Sequence, residues 1–216
     1  MQTFRNADGK PILIKMVRGI QQNKQYLGDV DGLIGDGDHG MNMNKGFTLF
    51  ESRFGDKEFS FSEGLNDLAM ILLNEIGGSM GPIYGTILMG MADAVDDNDL
   101  ETIGLPDFGN MLDAGLEGLY GIVDARVGDK TLVDTLSPAV ESLKRDAAQG
   151  TTFKTALLNM KQAAEAGCES TKELVAKYGR SSRLGERSRG VLDAGACSCK
   201  IILCAMADGI ADILCA

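Results

Sequence analysis

Apolar side chains recur as Met43, Phe47, Phe50 and Phe54, at i, i+4, i+7 and i+11, one stripe of an α-helix. Leu65, Leu68, Ala69, Leu72 and Ile76 repeat that period over residues 62–76, with Ser62 placed as the N-cap. The same spacing predicts helices near 10–26, 82–96, 106–123, 131–148, 152–178 and 194–214. Pro11, Pro82 and Pro106 fall near three of the starts, where a missing N–H costs little. Strand alternation is confined to "EFSFS" at 58–62, with no neighbouring run to complete a hairpin. The pattern predicts an all-α fold of about eight helices joined mostly by short polar turns. It is read as a single domain, residues 1–216.

Glycine changes this picture, because many of the 28 lie between the helices rather than within them. They concentrate in "GDVDGLIGDGDHG", "EIGGSMGPIYG", "RVGDKT" and "YGRSSRLGERSRGVLDAGA". Helices pack their middles and leave their ends at the rims, so four such turns can gather at one end of a bundle.

Composition narrows the class. A 44% hydrophobic chain of 216 residues is long enough to bury a core. The net charge of -10 offers no basic face for nucleic acid and argues against an anionic membrane surface. With no Trp, 8 Phe and 4 Tyr, aromatic stacking platforms are not expected. There is no uninterrupted apolar run of about 18 residues, and "MQTFRNADGKPILIK" lacks the order of a signal peptide, so a cytoplasmic protein is expected. Cys168, Cys197, Cys199, Cys204 and Cys215 show no zinc spacing and read as reduced thiols packed like small apolar groups.

The candidate chemistry starts at Asp31, Asp36 and Asp38. They fit a solvated turn, since Asp and Gly favour turns. A calcium loop is a poorer match, because the EF-hand order is not met. A magnesium site, completed by phosphate oxygens, is the third reading. Three packed carboxylates repel by several kcal/mol per pair at an effective dielectric of about 20, so a buried trio needs cations. Two Mg2+ would take its charge from about -3 to about +1 and make it a receptor for a diphosphate.

His39, the only histidine, adjoins these carboxylates at a predicted helix start, with Asn42 and Asn44 on the first turn. Free N–H groups and the positive end of the dipole favour a phosphate there. Gly77, Gly78 and Gly81 precede another helix in a loop that is neither a Walker A nor a Rossmann fingerprint. It serves either an anion or a close helix crossing. Arg180, Arg183, Arg187 and Arg189 form a basic loop, solvated or reaching phosphates with guanidinium forks. Asp193 reads as a cap of the last helix.

Taken in order, "DGLIGDGDHGMNMNKGF", "GGSMGPIYGT", "GDKTLVD" and "GRSSRLGERSRGVLDAGA" resemble the ADP-binding L subunit of dihydroxyacetone kinases across residues 31 to about 199. The resemblance implies a barrel of eight antiparallel helices with a nucleotide, ADP or ATP, at one end. It implies that Asp31, Asp36 and Asp38 hold two Mg2+ ions that grip the phosphates. His39, Gly40, Asn42 and Arg180 then contact the nucleotide, Gly78, Ser79, Met80 and Leu132 line it, and Asp193 and Gly195 close the site. No protein side chain acts as the catalyst; transfer is metal-assisted.

The implied partner is a K subunit carrying dihydroxyacetone or a similar short ketose. In phosphotransferase-linked members a phosphocarrier M subunit recharges ADP that stays bound. Two other roles are compatible with the resemblance: a regulatory module docking on a transcription regulator, and a subunit of an ATP-dependent kinase for another small ketose. Met80 stands where the family usually has a serine, and Ala194 where it has a proline; neither touches the metal ligands.

Overall fold

The computed structural model describes residues 2–215. Among them are nine α-helices: α1 (Lys10–Gln22), α2 (Lys24–Ile34), α3 (His39–Phe54), α4 (Phe61–Glu75), α5 (Met80–Asp96), α6 (Leu105–Tyr120), α7 (Val133–Ala148), α8 (Phe153–Ser170) and α9 (Ala194–Ile213). Eight close a ring in which each packs on the next: α1, α3, α4, α5, α6, α7, α8, α9 and back to α1. Helix α2 lies against α3 and α9. The first residues of α3, α5, α7 and α9, which are His39, Met80, Val133 and Ala194, all line one cavity, so these four helices begin at one end of the ring. One contiguous core fills the ring, with Phe47, Phe50, Phe61, Phe108 and Phe153 among its fully buried side chains.

The predicted apolar stripes are the buried ones: Met43, Phe47 and Phe50 on α3, and Leu65, Leu68, Ala69 and Leu72 on α4. Phe54 is only partly buried and stacks on Phe50 at 5.4 Å between ring centroids.

Four local expectations are corrected. The predicted helix 10–26 breaks at Asn23, whose side-chain amide donates to the Gly19 carbonyl at 2.8 Å. The chain then re-enters a helix through "GDVDGLI", because Leu27, Val30 and Ile34 make a buried face that overrides the two glycines. The segment "EFSFS" is not a strand but the entry to α4. Its cap is Ser60, two residues before the expected Ser62, in a reciprocal capping box with Glu63. The strands present are β1 (Thr3–Arg5) and β2 (Thr102–Gly104), antiparallel, with Phe4 opposite Ile103. The predicted helix 152–178 stops at Ser170, where the Ser170 and Thr171 hydroxyls turn back onto the carbonyls of Gly167 and Cys168, both at 2.7 Å.

Helix α9 has a mean hydropathy of 1.5 over eighteen residues, long and apolar enough to cross a membrane by composition alone. Lys200 and Asp208 break the run, and 61% of the window is buried inside this fold, where the helix serves as a core element.

Candidate functional site

The four glycine-rich stretches meet at the end of the ring where α3, α5, α7 and α9 begin. They enclose a cavity of about 730 Å³ whose wall includes Asp31, Asp36, Asp38 and His39 from the first stretch and Asn42 just after it. Gly78, Ser79 and Met80 come from the second, Lys130 and Thr131 from the third with Leu132 directly after it, and Arg180, Asp193 and Gly195 from the last. Gly40 alone of the expected contact residues is not part of the wall. It packs against the backbone of α2, where a Cβ would come within 2.0 Å of the Lys24 carbonyl oxygen.

Four helix N-termini thus face one volume, each directing the positive end of its dipole there. The side chains of Asp38 and Ser79, the N-cap residues of α3 and α5, cap no N–H of their own helix. The first turn of α7 is instead satisfied by Thr131, whose Oγ1 accepts the Val133 N–H at 3.2 Å and whose carbonyl accepts the Asp134 N–H at 3.1 Å. Amides left unpaired at such ends are ready donors for an anion. Helix α9 is capped from within: the Asp193 carboxylate accepts from the Ala196 N–H at 2.8 Å. Burial pushes the Asp193 carboxyl up to about 6, against the pull of that N–H and of Lys130.

Opposite these dipoles sit the carboxylates. Asp31, on the last turn of α2, and Asp36 and Asp38, in the turn that follows, bring one oxygen each within 4.8 Å of one another. The Asp31 carboxylate lies flat against Gly35, where a Cβ would come within 2.3 Å of its Oδ1. It also accepts the His39 N–H at 3.3 Å. Oxygen-only donors in this number suit a hard divalent cation such as Mg2+, which needs outside oxygens to complete six-fold coordination. The Arg180 guanidinium lies against Asp36 and 3.9 Å from Asp38.

The His39 ring is buried, which pushes its pKa down to about 4 despite the attraction of Asp31. Its Nε2 meets the Ser198 hydroxyl at 2.7 Å, and Ser198 meets the Tyr84 hydroxyl at 2.6 Å. Tyr84 in turn donates to the Gly195 carbonyl at 3.0 Å. This chain joins the starts of α3, α5 and α9.

Sequence reasoning missed this network, since Tyr84 and Ser198 carry no local signal and meet only across the barrel. It also missed Lys130, although "GDKT" was singled out. Lys130 adopts φ 60, unusual for a residue with a side chain, and is 1% exposed. Its ammonium donates to the carbonyls of Thr171 and Val191, and burial lowers its pKa. The long connection from α8 to α9 is held down by that amine, by the Lys177–Asp129 ion pair at 2.5 Å, and by the Ser188 hydroxyl on the Ala176 N–H at 2.9 Å. Those ties carry Arg180 to the cavity mouth. The phenol of Tyr178 and the apolar groups of Ile83, Leu119, Val123 and Ala125 complete the wall, which suits a ligand with an apolar flat part beside a charged one.

Comparison with known proteins agrees with this picture. The family model described as the DAK2 domain matches residues 33–208. The ADP-binding subunit DhaL of PEP-dependent dihydroxyacetone kinase 1 from Listeria innocua is 36% identical over 188 residues, 87% of this chain and 88% of that one. The ADP-binding subunit DhaL of the PEP-dependent dihydroxyacetone kinase of Escherichia coli is 37% identical over 177 residues, 81% of this chain and 82% of that one. Among solved structures, the dihydroxyacetone kinase from C. freundii in complex with AMP-PNP and Mg2+ is similar with a TM-score of 0.68 at 20% identity, a likeness of fold. The match covers 96% of this chain and 35% of that enzyme, so this chain spans about a third of it. Matched by the family model over most of its length, and identical to these subunits at more than a third of the aligned positions, this chain belongs to the DAK2-domain family, among the ADP-binding DhaL subunits of dihydroxyacetone kinases.

Proposed function

We propose that this chain, as one domain over residues 1–216, binds ADP or ATP with two Mg2+ ions. It would serve as the nucleotide subunit for phosphoryl transfer to dihydroxyacetone, or a similar short ketose, held on a separate K subunit. The observation that carries the reading is the convergence of four helix N-termini and the Asp31–Asp36–Asp38 trio on one cavity. Few other ligands want both; a metal-bound polyphosphate does. Asp31, Asp36 and Asp38 would hold the metals, which when bound neutralise phosphate charge.

The chain's own groups do the rest. The open first turns of α3 and α5 donate N–H groups toward anionic oxygens. Gly78, Ser79, Met80 and Leu132 line the ligand's path, and Asn42 projects from the first turn of α3. His39, neutral and pinned by Ser198, sets the start of α3. Arg180 neutralises Asp36 and Asp38, and its fork matches phosphate geometry when the metals take over that task. Phosphoryl transfer of this kind demands positioning and charge stabilisation rather than a protein nucleophile, which agrees with a wall that holds no activated serine or cysteine. The PEP-dependent relatives favour ADP kept as a bound carrier, recharged by an M subunit in the cytoplasm. Docking on a transcription regulator would use the same mouth.

Calorimetry tests the reading. The native protein is expected to bind ADP only with Mg2+, and EDTA should abolish the heat. Asp36→Asn should weaken binding by more than about tenfold, since even residues that merely support metal ligands cost 10–100-fold, while leaving helical circular dichroism unchanged. Metal-independent binding, or none, would overturn the proposal.

A further inference from the structure

The five cysteines take no part in the site as described, yet two of them meet beside it. Cys168 lies in the last turn of α8 and Cys197 in the first turn of α9, with sulfurs 3.6 Å apart and both residues fully buried. The Tyr26 hydroxyl, on a residue 39% exposed, touches the Cys197 sulfur at 3.6 Å, so the pair lies one side chain beneath the surface. A disulfide bond is about 2.05 Å long, so the sulfurs need to close by about 1.5 Å. Cys197 precedes Ser198, the residue that joins His39 to Tyr84, and follows the wall residue Gly195 by two.

We propose that Cys168 and Cys197 are an oxidation site: a small peroxide converts them to a reversible disulfide that shifts the first turn of α9 and weakens ligand binding in the cavity. The effect on binding rests on the nucleotide reading above; the disulfide itself does not.

The two sulfurs have different tasks. The Cys168 thiol, the Tyr26 hydroxyl and the α9 N-terminus favour a Cys197 thiolate against the opposing effect of burial, and its pKa is lowered; that of Cys168 is raised. Cys197 attacks a peroxide oxygen: an S–O bond forms, the O–O bond breaks, and the departing hydroxide takes the thiol proton as water. Cys168 then attacks the Cys197 sulfur. The S–S bond forms, the S–O bond breaks, and the second water leaves with the Cys168 proton. Two thiols lose two electrons in total, and one hydrogen peroxide becomes two waters. A dithiol reductant reverses the step by exchange.

The test treats the full chain, in a Cys215→Ser background that prevents bridging between molecules, with hydrogen peroxide. Expected are a mass loss of about 2 Da, a mapped Cys168–Cys197 cross-link, and roughly tenfold weaker Mg-ADP binding restored by dithiothreitol, because an ångström of misplacement at a positioned site can cost up to about 10²-fold. Cys168→Ala should bind Mg-ADP normally when reduced and lose the response to peroxide. A pair that stays reduced, a mass gain of about 32 Da from sulfinic acid, or a cross-link that leaves affinity unchanged would overturn the proposal. Failure of the nucleotide reading has a separate sign: the untreated, reduced protein would bind no Mg-ADP.

Discussion

A methyl group at residue 40 would sit 2.0 Å from the Lys24 carbonyl oxygen and 2.7 Å from the Gly28 amide nitrogen. Both are backbone atoms, so neither can swing aside. Gly40 is therefore what lets α3 start against α2 and bring His39 next to Asp31. Gly77 is the contrary case, with no atom within 4 Å of the same methyl group. Gly40→Ala is expected to lower stability by about 1–3 kcal/mol through overpacking, and Gly77→Ala to stay within about 0.5 kcal/mol. Urea denaturation of both variants measures this, and equal midpoints would refute the packing account. At this scale the candidate site was largely legible. Asp31, Asp36, Asp38, Asn42 and Arg180 are polar groups with a strong local pattern. Gly40 packs on backbone rather than lining the cavity, and a glycine for close packing and a glycine for a ligand look alike in sequence. Tyr84 and Ser198 stayed hidden because only the fold gives them partners.

Helix α4 shows how an element boundary is decided. Ser60 accepts the Glu63 N–H at 3.3 Å, and the Glu63 carboxylate accepts the Ser60 N–H at 2.7 Å. Ser62 is instead buried and takes the Asn6 side chain, its N–H donating to Oδ1 at 3.0 Å. Ser60→Ala should therefore cost about 1 kcal/mol in denaturant melts through loss of the cap. An unchanged stability would place the helix start elsewhere. Helix existence was readable from the apolar stripes, because those positions face the core. Ends were less so, since several Ser and Thr residues compete for each cap. The pair β1 and β2 was unreadable for a different reason. Its strands are three residues long and about a hundred apart in sequence, so no local period marks them.

The whole molecule is a ring whose alternate helices all begin at the same end, and the net charge of -10 makes a positive pole there unusual. The helix dipoles supply that pole without basic residues, while the aspartates set the place for a metal. A ligand that binds only the folded state at 100 times its Kd adds about 2.7 kcal/mol. For a chain of this size that is a rise in Tm of roughly 5–10 °C. Scanning fluorimetry should show the rise with Mg2+ and ADP together and lose it on adding EDTA; a rise that survives EDTA would contradict a metal-bridged site. The sequence by itself determined the helical class, the apolar face of each helix and the acidic turn, because those depend on spacing within about twenty residues. Only the tertiary structure decided that four turns share one cavity, that Lys130 and Lys177 carry Arg180 to its mouth, and that Cys168 meets Cys197. Each of those rests on ring closure, which brings together residues far apart in the chain through the packing of faces that local periodicity cannot pair.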